Sequence, residues 1–134
     1  MKNLHIYDCR PWNAAMGNKL AGRGFESTSN YINVEKVRFC DIPNIFQVAT
    51  SFEQIVYLSQ EFISSIWNSI IRYSEDEGWH KKLAETKWLS LISKILKASS
   101  RAAQSLTQKS VLIHCSDGWD RTSQMIALVQ IIMD

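Results

Sequence analysis

The sequence predicts an α/β fold, a central sheet flanked by helices, and three observations carry that prediction. Short β-rich apolar runs at residues 4–7, 37–40 and 111–113 alternate with longer helical segments. The helical segments repeat apolar residues at spacings of three and four. The third run, Val111-Leu112-Ile113, is too brief for a helix and apolar throughout, as expected of a strand buried on both faces of a parallel sheet.

Residues 4–7 form the first strand, stopped by Asp8-Cys9-Arg10-Pro11, because proline biases the residue before it away from helix. Residues 13–20 read as a short helix with Asn13 at its N-cap, ended by Gly22-Arg23-Gly24. Residues 26–33 are polar and turn-like, and 37–40 form the second strand, with Asp41-Ile42-Pro43-Asn44 turning the chain. A helix is expected from Ser51, its buried stripe running through Phe52, Ile55, Val56, Phe62, Ile63, Ile66, Trp67 and Ile70. Residues 74–82 are charged and read as an exposed loop. The next helix sets Trp88, Leu91, Ile92, Ile95, Leu96, Ala102, Ala103 and Leu106 on one side. Lys87, Lys94, Lys97 and Arg101 fall mostly on the other, as a solvated basic face. Residues 122–133 are strongly apolar and read as a largely buried helix.

At 134 residues the chain fits one domain. Three strands make a thin sheet, so the fold is expected to be part of a larger domain. A net charge of +2 gives no ground for nucleic acid. The three cysteines, Cys9, Cys40 and Cys115, have no close pairs, which fits neither a disulfide scaffold nor a zinc site and points to a reducing compartment. No signal peptide or membrane span is read, so any membrane contact is expected to be peripheral.

The chemistry concentrates at Cys115-Ser116-Asp117-Gly118-Trp119-Asp120-Arg121, between the third strand and the last helix. Five residues between a Cys and an Arg, ahead of a helix N-terminus, turn backbone N–H groups toward a common centre, which is an anion site. Gly118 permits the turn, and Arg121 closes the ring with a planar fork suited to two phosphate oxygens. The same field lowers the thiol pKa of Cys115 and makes it a nucleophile toward phosphorus. A leaving alkoxide needs a proton, and the candidates are Asp120 first and Asp117 second. Ser116 and Thr122 offer hydroxyls for the hydrolytic step or a helix cap. His114 fits a loop-fixing or Cys-tuning role, and Trp119 either packs or forms a pocket wall.

The stretch from Val111 to Gln124 closely resembles the active-site segment of myotubularin-related phosphoinositide phosphatases. A second patch agrees, with Tyr7-Asp8-Cys9-Arg10-Pro11 and Gly22-Arg23-Gly24-Phe25-Glu26 similar to the family's Asp-x-Arg-Pro segment and glycine-rich turn. Asp41-Ile42-Pro43-Asn44-Ile45 and Trp88-Leu89 match two further motifs in the family's order. The resemblance implies a cysteine-phosphatase-like sheet and removal of the 3-phosphate of phosphatidylinositol 3-phosphate and the 3,5-bisphosphate. It implies no cofactor, and a cytoplasmic protein peripheral on membranes whose partner is a phosphoinositide at the membrane surface, with pairing to a myotubularin-like relative. By position Cys115 is nucleophile and Arg121 phosphate clamp. Ser116, Gly118, Trp119, Asn18, Asn44 and Ile45 fall at the substrate.

Phe46 departs from the family's His, and residues 60–82 look longer than usual. The resemblance also implies an N-terminal lipid-binding module and downstream basic residues outside residues 1–134, which read as a partial catalytic domain. The alternative is a non-catalytic fragment that binds phosphoinositide or a partner protein. A third reading, action on phosphoprotein, is opposed by the paired aspartates, which suit a polyol headgroup.

Overall fold

A computed structural model of the chain describes residues 3–20, 22, 24–68 and 77–134, and the side chains of all of these except 65–68 and 77. The expectations for Arg23, Ile66, Trp67, Ile70 and residues 74–76 lie wholly or in their side chains outside the described residues. Two compact units are present, residues 1–44 with 93–134, and residues 45–92.

The first unit is built on strands β1 (Leu4–Asp8), β2 (Val34–Phe39) and β3 (Ser110–His114), all parallel, in the order β2-β1-β3. Parallel neighbours cannot be joined by a hairpin, so each connection is a crossover, as the alternating pattern requires. Helix α1 (Trp12–Leu20) lies between β1 and β2. Its start is one residue earlier than the sequence indicates, so Asn13 is inside the helix, its Oδ1 accepting from the Ala14 N–H at 2.8 Å. Proline at the position before the helix already presets the backbone, and its carbonyl accepts the Ala15 N–H at 3.1 Å. Gly22 (φ +79°) and Gly24 (φ +62°) then take the left-handed backbone that ends the segment.

One core cluster of this unit gathers about Tyr7, while Ile6, Ala15 and Val34 are buried outside it. Tyr7, Cys9, Ala98, Ala102, Ala103, Met125 and Val129 pack together with Ile42, flanked by Val111, Ile113 and Cys115. Tyr7 fastens the sheet to helix α4 (Trp88–Leu106), its hydroxyl donating to the Arg101 carbonyl at 2.9 Å and lying 2.8 Å from Ser105 Oγ. Three small residues on α4, Ala98, Ala102 and Ala103, let the helix backbone come close to the strands. The last helix, α5 (Arg121–Met133), buries only Met125 and Val129. The expectation of a largely buried helix is therefore wrong: Ile131 and Ile132 face out, because two residues four apart make one narrow stripe. Leu112, 44% exposed, likewise shows that β3 is not covered on both faces within the described residues. Leu96 and Leu106 of α4 are exposed too.

The second unit holds α2 (Ile45–Asn68) and α3 (Glu77–Glu85). Three expectations fail here. Helix α2 starts at Ile45, six residues before Ser51. Ser51 is a capping residue by type, yet it is buried inside the helix and donates its hydroxyl to the Thr86 carbonyl at 2.5 Å. Residues 77–82 are helical rather than loop, since Trp79 stacks on Phe62 (centroids 4.5 Å apart) and Lys82 pairs with Glu61 at 3.6 Å. Packing of one aromatic outweighs the charge of its neighbours. The expected buried stripe of α2 is mostly open, with Phe52, Val56 and Ile63 exposed, and the buried residue is Leu58, outside that stripe.

The C-terminal end of β1 carries a buried ion pair, Asp8 with Arg10. Asp8 is fully buried and Arg10 is 5% exposed, with Arg10 Nη2 2.6 Å from Asp8 Oδ2 and Arg10 Nε 2.9 Å from Oδ1. Deleting one partner strands a charge in the interior. Asp8→Asn is therefore expected to lower stability by about 3–5 kcal/mol in urea unfolding, with a smaller effect from Lys109→Ala, whose partner Glu35 is exposed.

Candidate active site

The loop from Cys115 to Asp120 leaves β3 and runs straight into α5, so a strand end and a helix N-terminus meet at one point. Gly118 makes the turn possible. Its φ of +87° lies in the left-handed region, where a side chain would be strained even though the space around a Cβ is open. With that turn made, the Gly118 N–H points back and donates to Cys115 Sγ at 3.2 Å. Arg121, the first residue of α5, folds over the loop and donates from Nη2 to Ser116 Oγ at 3.4 Å. The ring of amides expected from the spacing is thereby closed by its arginine.

Thr122 sits beneath this ring. Its Oγ1 is buried and has no hydrogen-bond partner among the described residues. Its influence on the thiols of Cys115 and Cys9 is to lower both. Burial pushes the Cys115 thiol up; the Thr122 hydroxyl and the N–H groups of Gly118, Asp117 and Thr122 outweigh it, leaving the thiol below its ordinary value. The other two cysteines move the opposite way. Burial raises both, and each is pushed up to about 12, so they remain neutral thiols. Cys9 rests its sulfur 3.7 Å from Met125 Sδ, a packing role.

Asp120 immediately precedes α5 but makes no side-chain capping bond. The bond that ties the loop to the helix comes from Ser123, whose hydroxyl donates to the Trp119 carbonyl at 2.5 Å and the Asp120 carbonyl at 2.8 Å. Asp117 and Asp120 are both exposed, and among the described residues neither carboxylate has a hydrogen bond or ion pair. Trp119 is 84% exposed, which rules out packing within the described chain. His114 holds the strand end, with Nδ1 3.2 Å from the Cys115 carbonyl; its Nε2 stands 3.9 Å from Asp8 Oδ2, beyond hydrogen-bond reach.

Beside the loop, the Asp8–Arg10 pair fixes the neighbouring chain. Cys9 N–H donates to the His114 carbonyl at 2.8 Å, Cys40 N–H to the Asp8 carbonyl at 2.8 Å, and Arg10 Nη2 to the Gly24 carbonyl at 3.4 Å. Thr122, Ser123 and Asp8 with Arg10 are supports that the loop's spacing alone does not reveal, although an Asp and an Arg two apart at a strand end were a legible signal. Asn18, half-buried in α1, has no hydrogen bond to the loop residues. Asn44 is exposed in the turn before α2, while Ile45 and Phe46 belong to the second unit.

A recessed sulfur of lowered pKa, inward amides, a closing guanidinium and two free carboxylates can bind a tetrahedral oxyanion and attack it. Comparison with known proteins identifies the family. Residues 1–134 match the myotubularin-like phosphatase domain. Myotubularin of Xenopus tropicalis is 35% identical over 133 residues, covering 98% of this chain and 20% of that protein. The phosphatidylinositol-3,5-bisphosphate 3-phosphatase mtm-1 of Caenorhabditis elegans is 37% identical over 135 residues, covering 99% and 21%. The phosphatidylinositol-3,5-bisphosphate 3-phosphatase MTMR4 of Xenopus laevis is 34% identical over 135 residues, covering 99% and 11%. The chain thus spans between about a tenth and a fifth of these relatives' lengths, and every residue of its Cys-to-Arg ring falls within the matched segment. A match running from the first residue to the last, over a loop with this chemistry, makes the chain a member of the myotubularin-like phosphatase domain family.

Proposed function

We propose that this domain removes the 3-phosphate of phosphatidylinositol 3-phosphate and phosphatidylinositol 3,5-bisphosphate through a phosphorylated Cys115. The single observation that carries the reading is a thiol held below its ordinary pKa inside a ring closed by Arg121. The substrate class rests on the names of the similar proteins.

In the first step the Cys115 thiolate attacks phosphorus, the bond from phosphorus to the inositol oxygen breaks, and Asp120 delivers a proton to that oxygen. In the second, water attacks the cysteinyl-phosphate, the Asp120 carboxylate takes the water's proton, and phosphate leaves with the thiolate restored. Arg121 and the amides of Asp117 and Gly118 hold the equatorial oxygens as charge gathers there. Asp120 is preferred as the acid because its carboxylate, placed where a helix cap would be, does not cap. Asp117 is second in that role and otherwise orients the headgroup. Ser116, Trp119, Asn18, Asn44 and Ile45 belong to substrate recognition in this reading. No described helix is long and apolar enough to cross a membrane, so the lipid is met at a surface, with exposed Trp119 at the loop's rim.

The competing reading is a phosphoinositide-binding segment without turnover. Phosphate release from 3-phosphorylated inositides separates the two. Release that disappears in Cys115→Ser supports the phosphatase; binding without release sinks it. Asp120→Asn is expected to cut turnover about 10²–10⁴-fold on alkyl phosphates and far less on aryl phosphates, whose leaving groups need no proton. Equal losses would move the acid elsewhere.

The pH dependence has a definite sign. A lowered thiol pKa means that the thiolate, and with it the alkylation rate of Cys115, is already established below the free-cysteine value of about 8.5 and is lost as pH falls through the folded value. Thr122→Val removes a donor and is expected to shift the alkylation midpoint upward. An unmoved midpoint would show that the hydroxyl does not act on Cys115.

A further inference from the structure

Helix α4 and strand β2 enclose a cavity of about 270 Å³ that contains no residue of the Cys115 loop. Four cations surround it: Arg38 from β2, and Lys94, Lys97 and Arg101 from α4. The helical three are spaced by three and four, which places them on one stripe. Arg38 and Cys40 are two apart at the end of β2, so both turn to the α4 side, where Tyr7 is Arg38's partner in register. Ala98, small and buried, leaves the space between helix and strand.

The charges are not neutralised from within. Among the described residues no acidic one lines the cavity. Lys94 is paired with Asp41 at 2.5 Å, but among the described residues the side chains of Arg38, Lys97 and Arg101 have no hydrogen bond or ion pair. Arg38 Nε is buried and unsatisfied, an unusual condition for a guanidinium nitrogen. Cys40 supplies no counter-charge either, since burial, the largest influence on it, keeps it a neutral thiol. A buried donor without a partner, beside three further cations, lacks an anion.

We propose that this cavity is a second anion site, for a phosphate monoester group, built by Arg38, Lys97 and Arg101 with Lys94 at its rim. The size argues for a compact group, because the volume is just below the lower end of ordinary ligand pockets, roughly 300 Å³. Planar guanidinium forks suit tetrahedral oxyanions better than a single carboxylate. The group is either free phosphate or the phosphorylated headgroup of a lipid. The site extends the reading of α4's basic face from a solvated surface to a binding one, and does not depend on turnover at Cys115.

The test uses the full chain carrying Arg121→Met, which removes the guanidinium clamp of the loop. Calorimetric titrations are run with inorganic phosphate, with soluble inositol 1,3-bisphosphate, and with phosphatidylcholine vesicles with and without phosphatidylinositol 3-phosphate. One saturable site is expected, weakened by salt, with a shift of the Arg38 Nε–H resonance. Arg38→Gln or Lys97→Gln is expected to weaken it about tenfold or more, as for loss of a charge-assisted hydrogen bond, while Lys97→Arg preserves it. Lys97 is exposed, so its substitution decides the matter should Arg38→Gln unfold the chain. Binding of the soluble anions but not the vesicles assigns the site to free phosphate or a released headgroup; binding of the vesicles assigns it to lipid. No saturable binding by any probe, or affinity unchanged in Lys97→Gln, overturns the proposal.

Discussion

The buried pair of Asp8 and Arg10 is the interaction on which the rest of the site depends. It occupies the end of the central strand, where the carboxylate accepts both the Arg10 backbone N–H at 3.0 Å and the guanidinium. The backbone of Asp8 and Cys9 receives the exits of both neighbouring strands, and the Arg10 guanidinium donates to the Gly24 carbonyl of the glycine turn. Two charges taken out of water are stable only when their hydrogen bonds are met and their geometry is tight. Here that condition fixes where the chain goes after β1, and so where β3 must end for the Cys115 loop to begin.

The loop shows how backbone shape becomes acidity. A left-handed glycine turns one N–H onto a sulfur, the N–H groups of Asp117 and Thr122 act in the same direction, and desolvation pulls the other way. Cys9 and Cys40 supply the internal comparison. They are more deeply buried than Cys115 and both stay protonated well above neutrality, with Cys9 drawing on the same threonine. Burial alone therefore makes a thiol inert, and the loop's donors make the difference.

Much of this was legible from residues alone. The three strands followed from short β-rich runs, and the loop's role from the order Cys, Gly, Arg ahead of an apolar helix. What was not legible shares one cause: it depends on contacts distant in sequence. Ser51 has the side chain of a capping residue, but its hydroxyl is claimed by Thr86, thirty-five positions away. Trp79 turned a charged stretch into a helix by finding Phe62. The exposure of Leu112, Ile131 and Ile132 could not be read from hydropathy, which reports what a residue prefers and not what neighbours it has.

The end of β1 and the residue after it give three consecutive residues three duties. Tyr7 secures α4 and borders the basic cavity, Asp8 holds Arg10 on the opposite face, and Cys9 returns to pack on Met125. Side chains alternate along a strand, so a slip of one position exchanges the faces of all three. An insertion or deletion of a single residue between Leu4 and Cys9 would carry a carboxylate into the apolar core and a phenol onto the arginine. Changes of length should accordingly be absent from this strand among working relatives, while substitutions that respect the alternation are tolerated.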